Sequence, residues 1–182
     1  MSVAIDPLFG VLATAALALL FAVAAAGKLR DLARFTAVLD AYAIVPAPLV
    51  GAAARALPAF ELAIAAGLVV PATRAVSAAV AAGLLLAYAA AIGVNLARGR
   101  RDLDCGCDGF GRRHPIAGWM LIRNALMAGL AGVAAAPRAP RALEAVDALT
   151  LSAGLVALVL IYRAADELLA QRAAARRQEL GA

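Results

Sequence analysis

Charge is what this chain has least of. Only 16% of its 182 residues are Asp, Glu, Lys or Arg, while 65% are hydrophobic; soluble domains carry about 25% charged residues. That imbalance excludes an ordinary water-soluble domain, and the length leaves room for one domain at most. No linker, second domain or internal repeat interrupts the sequence. Cysteine occurs twice, at Cys105 and Cys107, and histidine once, at His114. A relay built from two cysteine pairs is therefore excluded within this chain. The apolar runs do not alternate, which excludes short spanning β-strands. A cleaved leader is also not expected: "MSVAIDP" carries Asp6 and no Lys or Arg, and the apolar run behind it is full length.

What the chain does have is long apolar runs. A hydrocarbon core of about 30 Å needs roughly 20 helical residues. Residues 8–27 satisfy this without a charge, and so do residues 75–97; residues 47–70 and 116–136 qualify with charges inside, and 148–165 form a shorter fifth run. The expected fold is all-α: a polytopic membrane bundle with a four-helix core and a fifth spanning helix, ending in a polar tail at 166–182. Between the first two runs, Leu32, Phe35, Val38 and Leu39 recur at helical spacing, which predicts a short amphipathic helix at the interface. Pro58 should kink the second span. The 17 Lys and Arg against 12 Asp and Glu read as topology and not as nucleic-acid binding. The basic residues concentrate on alternate connections, which places the N-terminus outside and the cysteine loop, 98–115, in the cytoplasm.

Ionisable residues within spans are expensive and usually face the bundle interior. Lys28, Arg55, Glu61, Asn95, Arg123 and Asn124 are the candidates. Folding the chain back and forth brings Lys28, Arg55, Asn95 and Arg123 towards the face that carries the cysteine loop, with Arg123 about two turns beneath it and Glu61 deeper. Two structural readings stand beside the functional one. Glu61 could pair with Arg123 or Arg55 to specify the packing, and Lys28 could snorkel to the headgroups.

The loop "RRDLDCGCDGFGRRH" holds both cysteines. Cys105-Gly106-Cys107 can close a very small disulfide ring, which Gly106 permits. Strained, accessible bridges exchange readily with other thiols. Arg100, Arg101, Arg112 and Arg113 favour a thiolate, while Asp102, Asp104 and Asp108 oppose it. Three readings remain: a redox-active dithiol, a metal site of Cys105, Cys107 and His114 with an Asp, and a structural bridge or inert thiols. The metal reading is short of a standard zinc-ligand spacing.

In order along the chain, "GKLRD" with Phe35, Tyr42 and Pro46, then "LPAFEL" at 57–62, "NLARGRRDLDCGC" at 95–107 and "IRNALM" at 122–127 resemble the methylamine utilisation protein MauE family, itself related to DoxX-like membrane proteins. The resemblance covers most of the first 135 residues. It implies a small helical bundle in the bacterial plasma membrane that assists maturation of a disulfide-rich exported enzyme subunit, with a thioredoxin-like partner. Cys105 and Cys107 would be the redox pair, and Lys28, Glu61, Asn95, Arg123 and Asn124 the shared polar positions. The chain departs from the family's frequent Cys-Gly-Cys-Phe-Gly by inserting Asp108-Gly109. The fifth run and the basic tail lie outside the resemblance. The expected function is thiol–disulfide exchange, with Arg123 and Glu61 organising a pocket for a quinone head group or a partner's loop. A small-solute or metal-ion transporter, and a non-catalytic subunit of a redox complex, are the alternatives.

Overall fold

The computed structural model describes residues 4–106 and 115–181, without the side chains of 173, 174 and 176–181. Six helices account for nearly all of it: α1 (Pro7–Arg30), α2 (Leu32–Tyr42), α3 (Ala47–Val69), α4 (Arg74–Ala97), α5 (Trp119–Ala135) and α6 (Ala145–Gly181). Among the described residues, extended pairing is limited to two isolated bridges, Ile5 with Arg138 and Asp104 with Pro115. The molecule is an all-α helical bundle, and α1, α3, α4 and the 145–172 part of α6 are each long and apolar enough to cross a membrane.

The local chemistry sets the helix ends. Asp6 caps α1 by accepting a hydrogen bond from the Leu8 N–H, and Pro7 occupies the first turn, where its missing N–H costs nothing. Asp31 ends α1 and caps α2, accepting from the Arg34 N–H at 3.0 Å. Pro46 and Pro48 open α3. The buried Pro58 lies within α3, and the helix runs through it without a break.

The core is a ring in which α1 packs on α3, α3 on α4, α4 on α5, and α5 back on α1; α6 lies outside against α1 and α2 packs on α3. Alanines fill the crossings. Ala13, Ala25, Ala54, Ala78, Ala81, Ala131 and Ala134 are all at most 2% exposed, as expected where association in lipid depends on close backbone approach. The gap between Gly67 and Ser77 is so small that a Cβ on Gly67 would overlap the serine hydroxyl.

Two apolar clusters result. One holds Leu17, Phe21, Ile64, Leu68, Ala81 and Leu85. The other holds Tyr42, Ile92, Cys105, Ile116 and Met120, towards the cysteine loop. Polar groups lie between the clusters on α4, at Tyr88, and on α5, at Arg123 and Asn124, while Lys28 on α1 and Glu61 on α3 sit just beyond the first cluster.

Two expected boundaries move. The fourth core span begins at Trp119 and not at 116, because the preceding backbone is used elsewhere: the Ile116 N–H donates to the Leu103 carbonyl at 2.9 Å. Arg123 is therefore one turn below the start of α5, not two. At 17 residues, or about 25 Å, α5 is also short for a span. The fifth run starts at Ala145 and is continuous with the polar tail, giving one helix of 37 residues. That is about 55 Å, well beyond the width of a hydrocarbon core.

Candidate functional site

Lys28, the only lysine of the chain, does not snorkel. It is 6% exposed and Glu61 is 1% exposed. The Lys28 Nζ donates to both Glu61 carboxylate oxygens, at 2.6 and 2.8 Å. The Tyr88 hydroxyl donates to Glu61 Oε1 at 2.8 Å. The ammonium also sits 5.5 Å from the ring centres of both Phe35 and Tyr88, where aromatic faces attract a cation. Glu61 thus pairs with Lys28, not with Arg123 or Arg55. Arg55 is exposed on α3; six residues before Glu61, it lies about 120° round the helix. The buried face of α3 is Ala54, Pro58, Glu61, Ala65 and Leu68, so the sequence spacing already pointed Arg55 away.

Arg123 takes a different set of partners. Its Nη1 donates to Asp166 Oδ1 of α6 at 2.8 Å, and its Nη2 points to Cys105 Sγ at 3.8 Å. Its guanidinium lies 5.2 Å from the centre of the Trp119 ring. Asn124, 4% exposed, donates to the Met120 carbonyl of its own helix at 2.8 Å. Lys28, Glu61, Tyr88, Arg123, Asn124 and Tyr162 line one partly open cleft with the apolar Leu20, Phe21, Ala24, Leu85 and Met127. Its volume is about 40 Å³. That admits a few waters but falls short of the roughly 150 Å³ cavity known to take benzene.

Asn95, fully buried, serves another purpose. Its side-chain amide donates to the Tyr42 carbonyl at 3.3 Å and the Ala91 carbonyl at 3.1 Å. Arg100 donates to the Ala41 carbonyl at 2.6 Å and to Asn95 Oδ1 at 3.2 Å. A helix leaves its last carbonyls unsatisfied and negative. Asn95 and Arg100 satisfy them for α2, whose chain then turns through Ala43 in the left-handed region at φ 49°.

This capture holds α2 beneath the cysteine loop. Arg34 of α2 pairs with Asp104 at 2.6 Å. The bridge between Asp104 and Pro115 closes the neck of the loop. Cys105, 9% exposed, is held inside that neck. Gly106 follows at φ 65°, and a Cβ there would meet Val38 Cγ1 at 3.0 Å. Both the dihedral and the contact favour glycine. Cys107 and His114 lie outside the described residues; among the described ones, no three His, Cys, Asp or Glu side chains gather to hold a metal ion.

The structure therefore brings Lys28, Glu61, Arg123 and Asn124 to one cleft, with Cys105 beside Arg123. It leaves Arg55 outside and gives Asn95 to the α2 cap. Tyr88 and Asp166 were not anticipated, and Arg100, expected to favour a thiolate, instead donates to Asn95 and the α2 carbonyls. Tyr88 had a signal: Leu85, Tyr88, Ile92 and Asn95 repeat at three and four residues, marking the inner face of α4.

The profile of the family described as "Methylamine utilisation protein MauE" matches residues 6–137. The chain belongs to the MauE family. Proteins named methylamine utilization protein MauE are 39% identical to it over 114 residues in Paracoccus denitrificans and 37% over 167 residues in Methylophilus methylotrophus. The first match covers 63% of this chain and 61% of the relative, the second 88% and 86%. A third, from Methylorubrum extorquens, is 40% identical over 129 residues, covering 70% of this chain and 69% of the relative. The match to the Paracoccus denitrificans relative thus spans less than two thirds of that protein's length. No solved structure matches the chain. The family profile ends before α6, so this MauE-family chain takes Asp166, the ion-pair partner of Arg123, from a helix outside the profile.

Proposed function

We propose that this MauE-family protein is a plasma-membrane thiol–disulfide exchange protein. It supports maturation of an exported, disulfide-containing enzyme subunit in methylamine utilisation. The observation that carries this reading is the placement of Cys105, held in a glycine-dependent loop neck with the Arg123 guanidinium 3.8 Å from its sulfur. A neighbouring guanidinium favours the thiolate, which is both the nucleophile and the better leaving group.

In the exchange, a client thiolate attacks the Cys105–Cys107 disulfide and forms a mixed disulfide. Cys105, buried beside Arg123, is suited to leave as the thiolate, so Cys107 takes the client. The second client thiolate then attacks the mixed disulfide, closing the client's bond. Two electrons remain on Cys105 and Cys107, which take up the two protons that the client thiols released. The disulfide of a thioredoxin-like partner restores the pair by the same exchange in reverse and leaves as the dithiol.

The test uses client oxidation and thiol labelling in cells. Cys105→Ser and Cys107→Ser should each abolish client disulfide formation while membrane insertion persists. Undiminished client oxidation in both variants defeats the proposal. Labelling intact against permeabilised cells, with and without reductant, reports the side of the membrane and the redox state of the pair.

A further inference from the structure

The guanidinium beside Cys105 is shared. One amino group of Arg123 contacts the sulfur and the other contacts Asp166, with both charged side chains mostly shielded from solvent, at 15% and 17% exposure. The guanidinium also lies 5.2 Å from the centre of the Trp119 ring, and the two polar contacts come from one rigid planar group. Asp166 also stands at the point where α6, otherwise packed along α1, reaches across to α5. We propose that Asp166 is a positioning residue for the exchange reaction, aiming Arg123 at Cys105 while competing with the Cys105 thiolate for its charge. This rests on the thiol-exchange reading and adds α6, outside the family profile, to the site.

The competition has a sign. A carboxylate near a thiolate disfavours it, and a guanidinium committed to that carboxylate stabilises the thiolate less. The dithiol form is thereby held back, and with Asp166 present the Cys105–Cys107 pair is a weaker electron acceptor than it would be without that carboxylate. Coupling is reciprocal: a thiolate that draws Arg123 away loosens the hold of Asp166 and the docking of the adjacent stretch of α6.

The experiment uses the full-length protein in lipid nanodiscs, equilibrated with reduced and oxidised glutathione. Protein disulfide and two glutathione thiols exchange with protein dithiol and glutathione disulfide. Asp166→Asn keeps an oxygen for Arg123 but removes the anion, and should shift the equilibrium towards the dithiol by about threefold or more, the effect of roughly half a pK unit of thiolate stabilisation. Alkylation of Cys105 in a Cys107→Ser background should accelerate in parallel. Asp166→Glu should retain the original equilibrium. A merely structural Asp166 predicts a lower melting temperature with an unchanged equilibrium and alkylation rate, and that result overturns the proposal. Should Asp166→Asn not fold, Asp166→Ser carries the same expectation. With Asp166 intact, hydrogen exchange across residues 160–170 should be faster in the dithiol than in the disulfide form; identical exchange also overturns it. A pair that never forms a disulfide defeats the exchange reading alone, because the alkylation measurement still decides the role of Asp166.

Discussion

Removing either member of the Lys28–Glu61 pair should destabilise the protein severely, and removing both should not. The structure supplies the reasons. The pair is almost fully enclosed, the ammonium reaches both carboxylate oxygens, and Tyr88 adds a third hydrogen bond to the same acid. Breaking a buried pair from one side typically costs about 3–5 kcal/mol, because the remaining charge is stranded, whereas an apolar replacement of both partners is often neutral or better. For a chain of this size about 1 kcal/mol corresponds to roughly 2–4 °C. Lys28→Met or Glu61→Leu should therefore lower the melting temperature by about 6–20 °C. The double change should cost less than either single one. Its residual penalty, about 1–3 kcal/mol for a Tyr88 hydroxyl without its acceptor, should fall when Tyr88→Phe is added. Thermal unfolding in nanodiscs of one lipid composition, followed by Trp119 fluorescence, reads the parent and all four variants. A Lys28→Met protein that melts within about 2 °C of the parent, with a double variant at the sum of the singles, would refute the buried pair. It would place the ammonium among the headgroups.

Gly106→Ala should lower stability by about 1–2 kcal/mol from its left-handed backbone alone, and Val38→Ala should recover only the steric part; thermal unfolding of the three variants checks this. Asn95→Ala should cost about 1–3 kcal/mol by leaving α2 carbonyls without their donor, with faster amide exchange across residues 41–45, while α1 exchange is unchanged. At the opposite end of the bundle, Arg141 donates to Asp6 at 3.1 and 3.2 Å. That side-chain contact, aided by the Leu8 N–H, holds the Asp6 carboxyl below the usual carboxylate range. A depressed folded-state value means stabilisation that is present above the unfolded value and lost as pH falls through the folded one. Melting measured from neutral into acidic solution should decline less steeply in Asp6→Asn than in the parent.

The membrane class and the helices were legible because both are one-dimensional properties. The apolar runs at 8–27, 47–70 and 75–97 are long enough to span, and the interval at 32–39 has helical spacing, so α1 to α4 formed close to where the pattern put them. The polar residues within those runs were also legible, since lipid penalises them and the bundle interior does not. Which residue each would meet was not. Glu61 meets Lys28, 33 positions away, because the pairing depends on how α1 and α3 are rotated against each other. Arg123 meets Asp166, within what reads in sequence as a polar tail, because α6 continues unbroken past its apolar stretch. The start of α5 moved because Ile116 bonds to Leu103, a pairing that no local propensity encodes. Hydropathy and period act along the chain, and they determined the class and the elements; azimuth, depth and long-range hydrogen bonding act between helices, and only the packed bundle decided those.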